Sequence, residues 1–274
     1  MPTKQSVYIF DVDGVLNNLE IYQPDRRVLG QIAALLDAEV FVAINTGRGY
    51  DWVHNNVVQP LQRALRTPES ATRLFAAVEM GGLGVEFVHG IERRIPSAFS
   101  LSQQQIALVR HIFDQHPGYS NKIHWYEKES MATIDKNSDT TLDAFRPIQK
   151  KLTTILQEAF KGQHVKVANS NDAIDVQAPE AGKWAGAQLI YEWLRRATNI
   201  QHDHFVCFGD SIVDYEMARF FAEQSHDTVF VCTGPVFFEQ SSLHPGVELL
   251  KAQSPYNEGT YQYLRAHPTP TSFE

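Results

Sequence analysis

The feature that most constrains the fold of this chain is a set of short apolar runs that end in polar or acidic residues. The run VYIF meets Asp11 and Asp13, and the run HFVCF meets Gly209 and Asp210. Helical patterns lie between such runs, and in residues 26–37 the apolar side chains fall on one helical face. Continuous apolar strands that alternate with helices predict an α/β fold, a doubly wound parallel sheet covered on both faces.

Other segments near both ends of the chain fit this pattern. The further strand candidates are AEVFVAI (38–44), LFAAVE (74–79) and TVFVC (228–232). A helix is predicted over 212–222, and another begins at Lys183 in GKWAGAQLIYEWL.

The middle of the chain has a different pattern. Residues 122–136 and 164–178 each resemble two strands around a polar turn. Helical segments accompany these hairpins, and Pro147 is expected near the start of the second helix or at a kink in it. Hairpins with helices predict a separate α+β domain inserted into the α/β core. The expected division is 1–81 and 180–274 for the core and 82–179 for the inserted domain.

Composition and net charge argue against two classes of binding partner, nucleic acids and anionic membranes. The chain of 274 residues has a net charge of −8, which argues against a general surface for nucleic acids or anionic membranes. No stretch is long enough to span a membrane, and the apolar run before Asp11 is too short for a signal peptide. Cys207 and Cys232 lie in apolar strand-like segments, so two buried thiols in a cytoplasmic protein are expected.

Four groups of polar residues fall where ligands bind in an open parallel sheet, beyond the carboxyl ends of its strands or at a helix start. These groups are Asp11 with Asp13, the segment Asn45-Thr46-Gly47-Arg48, the segment Gly209-Asp210-Ser211 with Asp214, and Lys183. Aspartates that converge at one edge repel one another, and Mg²⁺ resolves the repulsion because it prefers oxygen ligands.

A metal beside a lysine makes a strong site for a phosphoryl group. One carboxylate can then attack phosphorus and form an aspartyl-phosphate. A second carboxylate can protonate the leaving oxygen and afterwards activate water. The paired aspartates after VYIF therefore predict two roles, in which one aspartate attacks phosphorus and the other transfers protons.

The order of these motifs resembles a known family. DVDGV, the threonine of NTGR, a lysine before a helix and GDSIVD occur in the order of the haloacid dehalogenase superfamily of phosphatases. The resemblance covers almost the whole chain. The insertion between the threonine and the lysine is similar to the cap of the Cof-type branch, which includes sugar-phosphate phosphatases.

The resemblance implies a role for each matching residue. Asp11 is then the nucleophile, Asp13 the general acid and base, Thr46 a hydrogen-bond donor to the phosphoryl group, and Lys183 a stabiliser of its charge. Asp11, the backbone carbonyl of Asp13, and Asp210 are the implied Mg²⁺ ligands. Asp214 is either a further ligand or the residue that orients Lys183 or a metal-bound water.

Two positions depart from the family pattern, and further residues are expected to meet the substrate. Val15 stands where many members have threonine, and Val213 where Cof-like members often have asparagine. Gly47 and Arg48 are expected near the phosphate, although Arg48 fits a structural ion pair equally well. In the cap, Glu127 and Lys128 are expected to select the substrate, because EK before a second strand is similar to a cap segment of trehalose-phosphate phosphatases.

The expected function is a Mg²⁺-dependent phosphomonoesterase that acts through an aspartyl-phosphate on a small phosphorylated metabolite, and the expected metabolite is a sugar phosphate. One alternative is a phosphomutase or phosphotransferase of the phosphomannomutase type, in which the phosphoryl group passes to another sugar hydroxyl. Another is a non-enzymatic phospho-acceptor or binding module. The large cap argues against the binding module, since such a module has no need to enclose a substrate.

Overall fold

The computed structural model of the chain describes residues 6–198, 202–236 and 243–267. Its strands are β1 (Ser6–Phe10), β2 (Phe41–Asn45), β3 (Leu74–Val78), β4 (Leu83–Val88), β5 (Ile91–Pro96), β6 (Ile123–Tyr126), β7 (Ala132–Lys136), β8 (Lys166–Asn169), β9 (Ala173–Gln177), β10 (His204–Gly209), β11 (Asp227–Cys232) and β12 (Val247–Lys251). Its α-helices are α1 (Arg26–Asp37), α2 (Tyr50–Val53), α3 (Gln59–Ala64), α4 (Gln103–Asp114), α5 (Leu142–Ala159), α6 (Lys183–Ala197), α7 (Ile212–Glu223) and α8 (Tyr256–Ala266).

The chain forms two compact units. One contains the residues up to Ile95 and from Gly182 onward, and the other spans Pro96–Ala181. We call the first the core unit and the second the cap unit.

The core unit is built on an eight-stranded sheet with the order β12-β11-β10-β1-β2-β3-β4-β5. The six strands from β12 to β3 run parallel, and β4 pairs antiparallel with β3. Side chains alternate between the two faces, so that Tyr8 and Phe10 pack with α1, α3 and α8 while Val7 and Ile9 pack with α6 and α7. The predicted doubly wound parallel sheet is therefore confirmed.

Local sequence explains where these elements begin. Asp25 caps α1 by accepting a hydrogen bond of 2.8 Å from the backbone N–H of Arg27. The apolar face predicted for this helix is buried, including Val28, Ile32 and Leu36. Between α2 and α3 the chain makes one π-helical turn, His54–Val58, which sequence analysis did not anticipate.

The cap unit has its own sheet and its own apolar core. Its sheet has the order β6-β7-β9-β8 with antiparallel neighbours, as the two hairpin patterns predicted. One face of this sheet packs with α4 and α5 in a cluster that includes Ile134, Phe145 and Ile174. Pro147 lies inside α5, within its first two turns.

The boundaries of the cap unit differ from the expected 82–179. Strands β4 and β5 follow residue 82, but they extend the large sheet, so the cap unit begins only at Pro96. The run GLGVEFV looked like the start of the insertion because nothing in its composition marks it as an edge of the core sheet. At the other end, the cap unit extends to Ala181, just before α6.

Two simpler expectations concern the thiols and the membrane. Cys207 and Cys232 are both free and buried, as predicted. Among the described residues, none of the helices combines the length and the apolar character needed to cross a bilayer.

Candidate active site

The polar groups predicted from sequence come together at one edge of the large sheet. Asp11 directly follows β1, Thr46 directly follows β2, and Asp210 directly follows β10. Strands β10, β1 and β2 are neighbours and run parallel, so these residues leave the sheet at the same edge. Every residue of this arrangement lies in the core unit.

Lys183, the first residue of α6, is buried among oxygen acceptors. Its Nζ lies 2.5 Å from Oδ1 of Asp11 and 2.8 Å from Oδ1 of Asp214. It also donates a hydrogen bond of 2.8 Å to the backbone carbonyl of Asn45. Because an ammonium group has three N–H donors, all of them are used by these contacts. The side chain of Asn45 in turn donates 2.8 Å to the carbonyl of Lys183, which fixes the start of α6.

Asp214 links the lysine to the loop that carries Asp210. Its Oδ2 accepts hydrogen bonds from the backbone N–H of Ser211 (3.0 Å), the hydroxyl of Ser211 (2.7 Å) and the backbone N–H of Asp210 (3.2 Å). Ser211 and Asp214 thereby form a capping box at the start of α7, which explains the three-residue spacing in GDSIVD. Of the roles left open for Asp214, the orienting of Lys183 is visible directly in the geometry.

Asp11, Asp210 and Asp214 form a carboxylate cluster. One oxygen from each lies within 4.8 Å of the others, the only such group of metal-ligating side chains in the described part of the chain. Burial raises the pKa of Asp11 to about 8, although the charge of Lys183 opposes the shift. Burial and the charge of Asp214 raise the pKa of Asp210 to about 7. The site therefore disfavours negative charge on these two carboxyls unless a cation offsets it.

The pKa shifts of Lys183 and Asp214 favour the charged forms of both groups, whereas those of Asp11 and Asp210 favour the neutral forms. Burial alone lowers the pKa of Lys183, but the charges of Asp11 and Asp214 outweigh burial and raise it. Burial alone raises the pKa of Asp214, but the charge and hydrogen bond of Lys183 lower it. This pair therefore remains charged inside the protein.

Asp13 is held by Arg48 in a two-pronged ion pair. Nε and Nη2 of Arg48 each donate 2.8 Å to a different oxygen of Asp13, and Asn17 donates 3.2 Å to Oδ1. The guanidinium group also lies over the rings of Tyr22 and Trp52, at 5.3 and 4.6 Å from their centroids. Of the two roles left open for Arg48, the ion pair is thus present, and a contact with substrate stays a prediction.

Several N–H and O–H donors face no acceptor in the described part of the chain. The hydroxyl oxygen of Thr46 accepts 3.2 Å from the backbone N–H of Arg48, while its own proton has no acceptor there. The backbone N–H groups of Val12 and Asp13 likewise have none. Unused donors beside a buried carboxylate are suited to the oxygens of an anionic group.

Thr233 is a structural residue of this site that sequence analysis missed. Its buried hydroxyl lies 2.7 Å from the carbonyl of Gly14 and 3.2 Å from that of Gly209, so it joins the loops that follow β1 and β10. Gly14 has a φ of +72°, and a Cβ there would lie 2.5 Å from Oδ2 of Asp210. The signal for Thr233 is a threonine directly after the apolar run TVFVC, comparable to Thr46, which stands one residue beyond AEVFVAI.

The two cap residues predicted to select substrate differ from each other. Glu127 is exposed and accepts 2.8 Å from the indole N–H of Trp125. Lys128 is buried, with Nζ 4.0 Å from Oδ1 of Asp175 and 3.7 Å from Sδ of Met131. Lys128 therefore helps to build the cap unit, and the contact of either residue with a substrate stays a prediction.

Comparison with known proteins identifies similar folds. No family model matches the chain, and no curated protein matches it either. Among solved structures, the C-terminal domain of C. albicans trehalose-6-phosphate phosphatase is similar, with 15% identity, a TM-score of 0.65, and coverage of 96% of this chain and 92% of that one. A trehalose-6-phosphate phosphatase related protein has 15% identity, a TM-score of 0.60, and coverage of 95% and 96%. N-terminally truncated Plasmodium falciparum IMP-nucleotidase has 10% identity, a TM-score of 0.56, and coverage of 95% and 69%.

This likeness shows the fold. The chain has a fold similar to that of these phosphatases, with a large, mainly parallel sheet and a separate antiparallel sheet. Identities of 10–15% leave the reaction and the substrate of this chain to be argued from its own residues.

Proposed function

We propose that this protein is a phosphomonoester hydrolase that uses Asp11 as its nucleophile. The observation that carries the proposal is the buried contact of Lys183 with Asp11 and Asp214, beside Asp210 and below the unused donors of the loop after β1. A structural ion pair needs one carboxylate for one lysine. Three carboxylates around a single lysine are costly to bury and are suited to chemistry on a charged group.

In the first half of the reaction, Asp11 attacks the phosphorus atom. A bond forms between its carboxylate oxygen and phosphorus, and the bond from phosphorus to the alcohol oxygen breaks. Asp13 gives its proton to that oxygen as the alcohol leaves. Lys183, the hydroxyl of Thr46 and the backbone N–H of Asp13 stabilise the negative charge on the phosphoryl oxygens.

In the second half, water releases the phosphate. Asp13 takes a proton from the water as its oxygen bonds to phosphorus, and the bond between phosphorus and Asp11 breaks. Free phosphate leaves, Asp11 is restored as a carboxylate, and Asp13 again holds a proton. Arg48 positions Asp13, because its planar guanidinium binds both carboxylate oxygens. One of these two contacts must open before that oxygen can carry the proton.

The carboxylate cluster fits a divalent cation. With all three carboxyls ionised, Asp11, Asp210, Asp214 and the ammonium of Lys183 carry a net charge of −2, which a divalent cation would neutralise, and all the offered ligand atoms are oxygens, as Mg²⁺ prefers. Asp11, Asp210, the backbone carbonyl of Asp13 and Asp214 are the groups that would hold it. When bound, Mg²⁺ would supply positive charge that lowers the repulsion between Asp11 and the phosphoryl group.

Mg²⁺ should stabilise the native protein against heat, and Asp210→Asn should remove most of that effect. A ligand that binds only the folded state at 100 times its Kd adds about 2.7 kcal/mol to the free energy of unfolding. The measurement is the melting temperature with and without Mg²⁺ for both proteins. Asp139→Asn, at an exposed aspartate of the cap unit, is the control and should respond as the native protein does. Equal Mg²⁺ responses in native and Asp210→Asn proteins would count against the metal site.

The substrate class follows from the neighbours and from the cap. Two similar structures are named for trehalose-6-phosphate and one for IMP, so we propose a small phosphorylated metabolite, with sugar phosphates as the first class. The cap unit, including Glu127 and the buried Lys128, would choose the alcohol. The cytoplasmic location and the absence of nucleic-acid or membrane partners remain predictions from composition.

A panel of phosphomonoesters assayed with Mg²⁺ tests this function. Sugar phosphates, nucleoside monophosphates and p-nitrophenyl phosphate should be compared by release of inorganic phosphate. We expect free phosphate from at least one sugar phosphate, with kcat/KM above that of p-nitrophenyl phosphate. Transfer of the phosphoryl group to a second sugar hydroxyl without free phosphate would identify the phosphomutase alternative, and inactivity on the whole panel would contradict the proposal.

A further inference from the structure

A left-handed backbone turn follows β3 and begins at Glu79, which was expected to be the last residue of the strand LFAAVE (74–79). Glu79, Met80 and Gly81 have φ values of 55°, 58° and 77°. Non-glycine residues seldom adopt this region, and two in succession are rarer still. Such a backbone persists only where its surroundings hold it in place, and it is found at functional sites more often than elsewhere.

The turn is bonded to the loop that carries Thr46 and Arg48. The backbone N–H of Glu79 donates 3.0 Å to the carbonyl of Arg48, and the N–H of Met80 donates 3.1 Å to the carbonyl of Thr46. The carboxylate of Glu79, which is 1% exposed, accepts 3.3 Å from the backbone N–H of Tyr50. Glu79 therefore holds this loop through both its main chain and its side chain.

The same turn is bonded to the start of α6. The carbonyl of Met80 accepts 2.7 Å from the backbone N–H of Gly182, the residue before Lys183. Gly81 lies so close to α6 that a Cβ there would be 2.4 Å from the backbone nitrogen of Gly186. The left-handed turn therefore joins the loop that carries Thr46 to the start of α6.

We propose that Glu79 is a positioning residue that fixes the Thr46–Tyr50 loop relative to Lys183. The inference rests on the proposed function, in which Thr46 and Lys183 hold the same phosphoryl group and Arg48 orients Asp13. A displacement of about 1 Å between such groups can lower turnover by about 100-fold. Glu79 acts at a distance from the reacting atoms, through the peptide groups that it binds.

The test compares Glu79→Ala with Glu79→Gln. Alanine removes the acceptor for the N–H of Tyr50, whereas glutamine keeps a carbonyl oxygen at that place. We expect Glu79→Ala to lower kcat by about tenfold or more with a smaller change in KM, and Glu79→Gln to restore most of the kcat. Hydrogen exchange should show faster exchange over residues 46–50 in Glu79→Ala than in Glu79→Gln.

Glu39→Ala is the matched control. Glu39 is also a glutamate with a positive φ, 64°, but it is exposed, pairs with Arg73 and lies before the start of β2, whereas Thr46 follows the end of that strand. This variant should leave kcat and the exchange over 46–50 unchanged. If Glu79→Ala does not fold, the test rests on Glu79→Gln. The positioning role requires residues 46–50 of Glu79→Gln to exchange as slowly as those of the native protein, and faster exchange would overturn it.

The outcomes separate this inference from the proposed function. An active native protein whose kcat and exchange are the same in Glu79→Ala would overturn the positioning role and leave the hydrolase proposal standing. A native protein inactive on every ester would overturn the hydrolase proposal, and the exchange data would still decide whether Glu79 fixes the loop. Equal losses in Glu79→Ala and Glu79→Gln would also overturn the role, because the acceptor oxygen would then not be what matters.

Discussion

Asp11→Asn should abolish phosphomonoester hydrolysis while leaving a folded protein. The amide has nearly the shape of the carboxyl group but cannot form the bond to phosphorus. Loss of a nucleophile lowers kcat by at least about 1,000-fold in enzymes where the step has been isolated. Folding should tolerate the change, since burial already raises the pKa of Asp11 to about 8 and so disfavours its charged form. Initial rates and far-UV circular dichroism of both proteins measure the two effects.

The control for this variant is Asp51→Asn. Asp51 is an exposed aspartate in α2 of the same core unit, and its replacement should change neither rate nor stability. Mass spectrometry of acid-quenched native protein adds a direct check, because the phosphoryl group should be found on the peptide that contains Asp11. Near-normal turnover of Asp11→Asn, or a phosphoryl group on another residue, would contradict the nucleophile assignment.

The fold was largely predictable because a strand that is buried on both faces must consist of apolar residues, and such runs can be recognised in the sequence. Strands β1, β2, β10 and β11 are covered on both faces, so they are continuous apolar runs that no surface strand would show. The cap hairpins were predictable from a different pattern, in which a polar turn separates two short strand-like stretches. Strand β5 was misplaced because it is the edge strand of the large sheet, where IERRI carries exposed charges, and β4, which precedes it in the chain, was misplaced with it. An edge strand of the core and a strand of a cap look alike in sequence.

The charged residues of the site were predictable from the sequence, but the contacts between their side chains were not. Asp11, Asp210 and Lys183 could be placed together because each follows a strand or begins a helix at a known edge of the sheet. The two-pronged contact of Arg48 with Asp13 depends on side-chain directions that no spacing reveals. The turn at Glu79 was missed because a left-handed φ at a glutamate and a methionine has no sequence signature, unlike one at glycine.

Lys183→Met should lower both stability and activity. Methionine keeps the length of the side chain and removes the charge, which leaves Asp11 and Asp214 buried without their common partner. Removing one member of a buried ion pair lowers the free energy of unfolding by about 3–5 kcal/mol. The phosphoryl group would also lose the positive charge of the lysine that contacts Asp11, so kcat should fall by about 100-fold or more. Urea unfolding and initial rates with Mg²⁺ measure these effects.

Lys161→Met separates the buried contacts from the loss of positive charge as such. Lys161 is 75% exposed and pairs with Glu158 at 3.3 Å, so its replacement should change the free energy of unfolding by less than about 1 kcal/mol. In Lys183→Met, Mg²⁺ should recover part of the lost stability, because a cation among the carboxylates reduces the repulsion that the lysine formerly offset. Such recovery should not extend to kcat, since the lysine contacts Asp11, Asp214 and the carbonyl of Asn45 from a fixed position. Full activity in a folded Lys183→Met protein would show that phosphoryl charge is stabilised elsewhere and would require a different site.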